Sequence, residues 1–357
     1  MTARVIHIDP STDARWDDFL ARHSEARLCH SSYWLDILQR TYGYMPVHLA
    51  YEVDGTLHGV LPLVMIRSPL TGKRLVSLPF SGPAGPIGTS TETVDALLAA
   101  AVGMTSDLGC SYLNIQSTSI EPREPFNGFA TLKPFVTSVI PLQAGARELW
   151  RHIPVKTVRQ DINRGKRRGV SVRVADRKQD VSTFYELFVQ TCRKHGMPPQ
   201  PYKLFDIMWD VLGPQQMLHL FLAVLNNRVI NALLCFTFRD VVSLGYVGTD
   251  YRFLRYHPVK VTDWAAIEWA CDRGYGLFDF LQSHVKNDGL RWYKRSFGAV
   301  ERPVAYYYYP KVGTTAVFRE LLIGGRTRLS KAVKAVVRRL PTAGLKILGN
   351  TVYKHMG

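Results

Sequence analysis

The sequence predicts an α/β protein made of two domains with the same order of elements. A chain of 357 residues is longer than a single hydrophobic core usually organises, which favours two cores. An apolar, β-rich run broken by a tight turn occurs twice, at Asp54-Gly55 and at Asn226-Asn227. Each run is followed by a strand, a helix and a further strand, and the last strands are similar: GCSYLNIQS from Gly109 and GYGLFDFLQS from Gly274. We therefore expect an internal duplication of one α/β unit.

Local signals place the elements in each half of the chain. Helices open the first half, and Ser31 or Ser32 is suited to cap the second of them. The elements predicted in the first half are helices 16–23 and 31–42, a hairpin 47–66, a strand 74–80, a loop 81–88, a helix 93–108 and a strand 111–117. Those predicted in the second half are helices 181–194 and 202–212, a hairpin 218–238, a strand 241–250, a helix 259–273 and a strand 276–283.

Composition indicates a folded protein of the cytoplasm. Apolar residues make up 46% of the chain and charged residues 21%, as in globular proteins, and no apolar run reaches the ~18 residues of a membrane span. The N-terminus has acidic residues where a signal peptide would be apolar. The five cysteines form no CxxC pair, so we expect reduced thiols, without disulfides or a metal site.

The net charge of +16 predicts an anionic partner. Two segments supply this charge: residues 156–178 contain nine basic residues against two acidic ones, and residues 311–357 contain ten against one. Such segments suit a phosphate-rich ligand, tRNA or an anionic membrane surface. The alternative is a solvated charged face together with a basic tail.

Residues 327–340 have the pattern of a basic amphipathic helix that Pro341 ends. Lysines and arginines flank its apolar stripe, which consists of Leu329, Val333, Val336, Val337 and Leu340. A helix of this kind suits peripheral contact with the inner face of the cytoplasmic membrane. The alternative is docking on the body of the protein.

Short motifs in a fixed order connect the chain to a known family. They are SYW at 32–34, GVLPL at 59–63, SLPF at 77–80, PVKTVRQDINR at 154–164, HGMP at 195–198, FDF at 278–280 and YKRSFG at 293–298. Through these motifs the chain resembles the Fem-type (FemAB/FemX-like) peptidyltransferases of the GNAT-like acyltransferase superfamily, of the kind associated with bacterial exopolysaccharide and cell-envelope systems. The resemblance implies tandem duplicated GNAT-like domains at 1–145 and 146–313, the second holding the catalytic core, and a basic helical tail at 314–357.

The resemblance also implies a reaction: an aminoacyl group moves from aminoacyl-tRNA to an amino group of a cell-envelope peptide or saccharide precursor, which is nucleotide- or lipid-linked. One alternative is an acyl-CoA-dependent N-acetyltransferase that acts on an exopolysaccharide amino sugar. Another is a non-catalytic module that binds an anionic ligand. In either enzyme the donor is a substrate and no cofactor stays bound. Acyl-CoA enzymes hold the pyrophosphate on a glycine-containing loop at a helix start, and residues 252–260 (RFLRYHPVK) contain no glycine, which disfavours that grip.

Missing motifs weigh against several other enzyme classes. The chain has no G-x-S-x-G elbow with a Ser-His-Asp order, no H-E-x-x-H, no Walker loop and no G-x-G-x-x-G. Hydrolase, metalloprotease, NTPase and Rossmann oxidoreductase functions are therefore disfavoured.

Lys294, Asp279 and His284 are the predicted catalytic residues. By resemblance, the Y-K pair that Lys294 completes lies in the active-site channel, where the ammonium would stabilise the oxyanion or a donor phosphate; the alternative is a surface lysine at a strand edge. Asp279 is a carboxylate in an apolar strand, suited to orient or deprotonate the amine, or else to pair with an arginine. His284 ends that strand, where an imidazole suits proton transfer, although lone histidines are more often structural.

The predicted substrate-binding residues are Lys156, Arg159, Arg164, Tyr246, Ser283 and Trp34. The three basic ones lie with Asn163 at helical spacing, so one helix face could bind a pyrophosphate or a tRNA backbone; pairing between domains is the alternative. Tyr246 would face the donor or else pack in the core, and Ser283 ends the strand beside His284. By resemblance Trp34 is an acceptor-side aromatic, and its place on an apolar helix stripe favours packing instead.

Overall fold

The computed structural model describes residues 2–69, 72–118, 128–310 and 328–356. The chain divides into two compact units. Unit 1 consists of Met1–Phe135, Pro303–Gly325 and Thr351–Gly357, and unit 2 of Val136–Arg302 and Arg326–Asn350. This division differs from the expected consecutive domains 1–145, 146–313 and 314–357. Three elements cross from one unit into the other: the strands Ala130–Pro141 and Val300–Tyr309 and the last helix. Each unit is therefore assembled from separate segments of the chain.

Unit 1 contains two sheets, three complete α-helices, a 3₁₀ turn Leu28–His30 and the end of the last helix along the described part of its chain. Its elements are β1 Ala3–His7, α1 Arg15–Ala21, α2 Ser32–Tyr42, β2 Met45–Pro46, β3 Leu49–Val53, β4 Thr56–Leu61, β5 Val64–Ser68, β6 Gly72–Val76, β7 Ile87–Gly88, α3 Thr91–Asp107 and β8 Leu113–Ser117, with parts of β9 Ala130–Pro141 and of β15 Val300–Tyr309. One sheet has the order β1-β3-β4-β7, and the other the order β15-β8-β6-β5-β2. Ser31 caps α2 by accepting from the N–H of Trp34, as its sequence position predicted.

Unit 2 surrounds its sheet with helices. Its elements are the rest of β9, α4 Gly145–His152, a π-helical turn Val155–Arg159, α5 Gln160–Arg167, β10 Ser171–Val174, α6 Gln179–His195, α7 Tyr202–Leu212, β11 Leu218–Leu225, β12 Arg228–Phe238, β13 Val241–Thr249, a 3₁₀ turn Tyr251–Tyr256, α8 Pro258–Asp272, β14 Leu277–His284, α9 Asp288–Arg295, the start of β15, α10 Arg328–Arg339 and most of α11 Thr342–Met356. The strand order is β10-β11-β12-β13-β14-β9. Phe278 and Phe297 are buried at the centre of its core, together with Trp264 of α8.

The predicted tandem duplication is confirmed by strand pairing. Each unit has an antiparallel hairpin with a register shift, β3–β4 and β11–β12, and each later forms a parallel pair across a helix. The parallel pairs are β6 with β8, where Leu75 faces Leu113, and β13 with β14, where Val241 faces Leu277. The hairpins of the two units differ after the turn. In unit 1, Pro62 follows β4 and separates it from β5, and these two strands join different sheets. The corresponding β12 runs for 11 residues without a break.

The basic tail helix is packed on unit 2. The expected helix over 327–340 is present as α10, and a second helix, α11, follows Pro341 within the predicted helical tail. Val337 and Leu345 are buried, and α10 contacts α6. Residues 314–327 of the predicted tail lie outside the described residues, as do the side chains of Leu329 and Val333. Within the described ranges, no helix has the length and apolarity that a membrane crossing would need.

Candidate active site

The parallel strands β13 and β14 pair over a short distance and then separate. Their register runs from Val241 with Leu277 to Ser243 with Asp279, and no further pair between them is present among the described residues. Beyond this point β13 bulges at Gly245, because Leu244 and Tyr246 face consecutive residues of β12. A Cβ on Gly245 would lie 2.3 Å from the ring of Phe236, so the bulge requires glycine. Beyond the separation point, the backbone N–H and C=O groups on the facing edges of β13 and β14 therefore need other hydrogen-bond partners.

Asp279 holds the bend of β14 at the separation point. Its Oδ1 accepts hydrogen bonds from Thr137 Oγ1 at 2.7 Å and from the backbone N–H of Leu281 at 2.8 Å. Leu281 has φ 56°, a left-handed conformation that is strained for a leucine and needs support from its surroundings. Asp279 thus lies in the predicted strand, where its carboxylate binds a hydroxyl and a backbone amide.

Lys294 reaches the same bend from α9. It is only 5% exposed, so the interpretation as a surface lysine at a strand edge is wrong. Its Nζ donates to the carbonyl oxygens of Phe280 and Leu281 at 2.8 Å each and to that of Gln282 at 3.3 Å. Burial lowers the pKa of Lys294 to about 8, although neighbouring carboxylates oppose the shift. All three ammonium hydrogens are directed at carbonyls, and the bond to Gln282 is the longest.

A second buried carboxyl, which the sequence interpretation missed, lies beside this lysine. Asp263 of α8 accepts a hydrogen bond on Oδ2 from the phenol of Tyr293 at 2.6 Å, and its buried Oδ1 has no partner within the described part of the chain. Burial raises the pKa of Asp263 to about 7, against the hydrogen bond from Tyr293 and the charge of Lys294. The sequence pattern could have predicted this carboxyl, because Asp263 lies on the same helix face as the apolar residues Ile267 and Ala270.

The other predicted site residues lie in different parts of the fold. Ser283 is buried, and its Oγ has no hydrogen-bond partner in the described ranges. His284 accepts on Nδ1 from the backbone N–H of Lys286 at 3.0 Å, which fixes the ring at the strand end. Tyr246 packs edge-on against Phe188 and Phe205, as a core aromatic does, and burial raises the pKa of its phenol. Trp34, in unit 1, is 5% exposed and donates from Nε1 to Ser81 Oγ at 2.6 Å, which is the packing role of the two considered.

A basic groove lies along α4, the π-helical turn and α5. It encloses about 650 Å³ and is lined by Trp150, Lys156, Arg159, Gln160, Asn163, Lys166 and Arg167. Lys156, Arg159 and Asn163 thus share one face, as their spacing predicted. Arg164 does not line the groove, and its guanidinium lies 3.8 Å from the Asp161 carboxylate. Nε of Arg159 is buried and has no partner among the described residues.

The start of α8 is covered by α5. Pro258 occupies the first position of α8, and Lys260 in its first turn donates to Asp161 Oδ2 at 2.6 Å. A Cβ on Gly165 of α5 would lie 2.6 Å from the carbonyl oxygen of Tyr256, so the two segments are in direct contact. The first turn of α8 therefore has a proline in place of one N–H donor and a carboxylate beside it. Among the described residues, no group of three or more His, Cys, Asp or Glu side chains is arranged to hold a metal ion.

Comparison with known proteins places this geometry in a recognised fold. Residues 155–295 match the model of the acetyltransferase (GNAT) domain. The structure is similar to that of FemX, with a TM-score of 0.69 and 15% identity over 88% of this chain and 99% of that one. It is also similar to the C-terminal domain of a putative lysylphosphatidylglycerol synthetase from Agrobacterium fabrum, with a TM-score of 0.57 and 13% identity over 88% and 97% of the two chains. A tandem GNAT protein from the clavulanic acid biosynthesis pathway gives a TM-score of 0.55 and 11% identity over 87% and 100%. No curated protein sequence matches the chain.

Proposed function

We propose that this chain, whose fold is like that of FemX, is an acyltransferase of the GNAT type that transfers an aminoacyl group from aminoacyl-tRNA to an amine of a cell-envelope precursor. The observation that carries the choice of donor is the covered start of α8. Acyl-CoA enzymes use free N–H groups at such a helix start to bind the pyrophosphate. A pyrophosphate here would meet Asp161 and the backbone of α5, and Pro258 would offer it no N–H.

The basic groove supports a donor with a longer phosphate backbone. Its positive charge comes from Lys156, Arg159, Lys166 and Arg167, and Trp150 adds an aromatic side chain to the lining. One guanidinium group can bind two oxygens of a phosphate. A sugar-phosphate chain extends far enough to contact several of these basic side chains. The groove spans α4 to α5, so a nucleic acid fits it better than the single pyrophosphate of CoA.

The buried polar cluster supports the transfer step itself. The acceptor amine attacks the ester carbonyl, a C–N bond forms, and the C–O bond to the ribose breaks. The attacking nitrogen loses a proton to a carboxylate, and the carboxyl group so formed returns the proton to the leaving ribose oxygen. Asp263 accepts the amine proton when it is ionised, and Tyr293, which is bound to it, keeps that carboxylate in place. Lys294 stabilises the oxyanion with its positive charge. Its Nζ gives up the long hydrogen bond to the carbonyl of Gln282 and donates to the oxyanion instead.

The class of the similar structures supports the proposed acceptor. The resemblance to the Fem-type enzymes, which the fold match to FemX supports, implies a nucleotide- or lipid-linked precursor, and the name of the putative lysylphosphatidylglycerol synthetase adds a lipid-linked substrate class. The acyl-CoA alternative, acting on an exopolysaccharide amino sugar, is the competing outcome of the test. The non-catalytic alternative is disfavoured by the acyltransferase domain.

A donor competition tests the proposal. The protein is offered an isotope-labelled aminoacyl-tRNA pool or labelled acetyl-CoA, each with nucleotide-linked and lipid-linked precursors, and the products are identified by mass spectrometry. We expect label on the acceptor amine from aminoacyl-tRNA only. Arg159→Gln should raise the KM for tRNA about tenfold, whereas Arg151→Gln, an exposed arginine of α4 outside the groove lining, serves as the matched control. Transfer from acetyl-CoA alone would overturn the proposal.

A further inference from the structure

We propose that unit 2 has a second functional surface, a composite face that docks on an anionic lipid bilayer. From the sequence, the tail helix is the segment whose amphipathic pattern suits peripheral membrane contact. The structure combines the tail with the end of α6 and the loop 196–201, so the surface belongs to the folded unit. The inference does not rest on the identity of the donor or of the acceptor.

Close backbone contacts join these segments into one face. A Cβ on Gly196 would lie 2.8 Å from the carbonyl oxygen of Lys334 in α10, so the loop touches that helix directly. Arg193 at the end of α6 donates from Nε to the carbonyl oxygen of Arg338 at 3.1 Å. Gly349 of α11 packs against the carbonyl of Pro199 in the same loop. The loop therefore lies between α10 and α11 and fixes both helices to unit 2.

Large apolar side chains of these segments are exposed. Val336 of α10 is 60% exposed and Ile347 of α11 is 65% exposed, while their neighbours Val337 and Leu345 are buried. Met197 in the loop is 48% exposed, and Tyr202 at the start of α7 is 36% exposed. Tyr202 packs on Tyr185, and Lys346 lies over the ring of Tyr185, so the start of α7 adjoins α11. Exposed aliphatic groups gathered around one loop favour an apolar partner.

Positive charge surrounds these apolar groups. Residues 187–205 and 321–357 contain no aspartate or glutamate. The exposed cations of the face are Arg193, Lys194, Lys203, Arg338 and Arg339. His195 lies near two of these cations. Its pKa is lowered by burial and by the charges of Arg338 and Lys194. The acidic residue next to the face, Glu186, is already paired with Lys346 at 2.5 Å.

The mixture of groups points to a bilayer rather than to RNA. A bilayer surface offers phosphate charges to the cations and an acyl boundary in which valine, isoleucine and methionine side chains lose contact with water. RNA is bound through cations and stacked aromatic rings, and exposed aliphatic side chains such as Val336 and Ile347 contribute little to it.

Vesicle sedimentation of the full chain tests the surface. The vesicles are phosphatidylcholine alone and an equimolar mixture of phosphatidylcholine and phosphatidylglycerol, and the variants are Val336→Ser/Ile347→Ser and Arg338→Gln/Arg339→Gln. We expect binding to the mixed vesicles, weakened by salt. The arginine pair should reduce it about 25-fold, at about fivefold per charge, and the aliphatic pair about tenfold. The matched controls, Arg22→Gln/Arg40→Gln and Val300→Ser, change exposed residues elsewhere and should bind like the wild type.

Two outcomes would overturn the inference. In the first, both surface variants sediment with the mixed vesicles as well as the controls do. In the second, Arg338→Gln/Arg339→Gln loses binding to bulk tRNA while its vesicle binding is unchanged, which would make the face an RNA surface. All variants are checked by circular dichroism, and because the substituted side chains are exposed, we expect native spectra.

Discussion

The two units share a topology but differ at the point where their parallel strands end. In unit 1, Ser77 prolongs the contact between β6 and β8: its N–H donates to the carbonyl of Asn114 at 2.8 Å, and its Oγ accepts from the N–H of Gln116 at 2.9 Å. In unit 2, β13 and β14 separate after Ser243 and Asp279, and Lys294 binds the carbonyls that follow.

The helix that packs on the parallel strands also differs between the two units. The buried face of α3 is mostly aliphatic, with Leu97 and Ala101 at its centre, whereas α8 buries the carboxyl of Asp263. A buried carboxyl oxygen without a hydrogen-bond partner costs stability, and such groups cluster at functional sites. Unit 1 also buries ionisable side chains, but His30, His48 and Glu52 are hydrogen-bonded there. This difference supports the proposal that the reacting groups lie in unit 2, where the strands separate beside a buried carboxyl, whereas β6 and β8 of unit 1 stay joined.

The largest effect is expected at Lys294. Lys294→Met removes the donor for three carbonyls at the bend, so we expect a loss of about 3 kcal/mol of unfolding free energy and a transfer rate at least ~100-fold lower. The matched control in unit 1 is Lys73→Met, because Lys73 is partly exposed and its Nζ donates to the carbonyl of Leu108 at 3.3 Å. There we expect a change below about 0.5 kcal/mol. Urea denaturation measures both; equal losses at Lys294 and Lys73 would contradict the special position of the bend.

Asp263 should give unit 2 a distinctive dependence of stability on pH. Its folded pKa of about 7 is above that of an unfolded aspartate, so the folded state holds a proton that the unfolded state releases. This group therefore lowers the free energy of unfolding by about 1.4 kcal/mol for each pH unit as pH rises from about 4 to 7, and adds no further change above that. Asp263→Asn removes this slope, so the variant should gain stability relative to the wild type between pH 5 and 7. Parallel curves for the two proteins would mean that Asp263 is ionised throughout.

The smallest effect is expected in unit 1. Ser77→Ala removes the side-chain acceptor for the N–H of Gln116, which should cost about 1 kcal/mol of unfolding free energy. Because unit 1 has no proposed reacting group, kcat should stay within about twofold of the wild type. A large fall in kcat at unchanged stability would show that the closed strands of unit 1 take part in the chemistry.

Local signals in the sequence predicted most of the elements. The turns at Asp54-Gly55 and Asn226-Asn227 both have the positive φ values that such dipeptides favour, and α8 begins and ends within one residue of its prediction. The basic face over 156–164 was predicted in part, because the side chain of Arg164 pairs with Asp161 and does not join the groove.

The missed features depend on contacts between distant parts of the chain. Asp263 and Tyr293 are 30 residues apart, and their pairing exists only once α8 and α9 meet over the sheet. The bend of β14 at Leu281 likewise needs support from Asp279 and Lys294 together. A single sequence records propensities and periodicity, whereas the partner of a buried polar atom is set by packing.

The pH dependence of single-turnover transfer tests the central claim most directly, namely that the chemistry takes place beside Asp263 where β13 and β14 separate. The rate of aminoacyl transfer is measured from pH 5.5 to 8.5 for the wild type and for Asp263→Asn, with saturating donor and acceptor. For the wild type we expect the rate to rise with pH through about 7, as Asp263 becomes able to accept the amine proton. The variant should be at least ~100-fold slower at pH 8 and should lack this rise. A variant that keeps the wild-type rate and the same rise would place the base elsewhere and contradict the account.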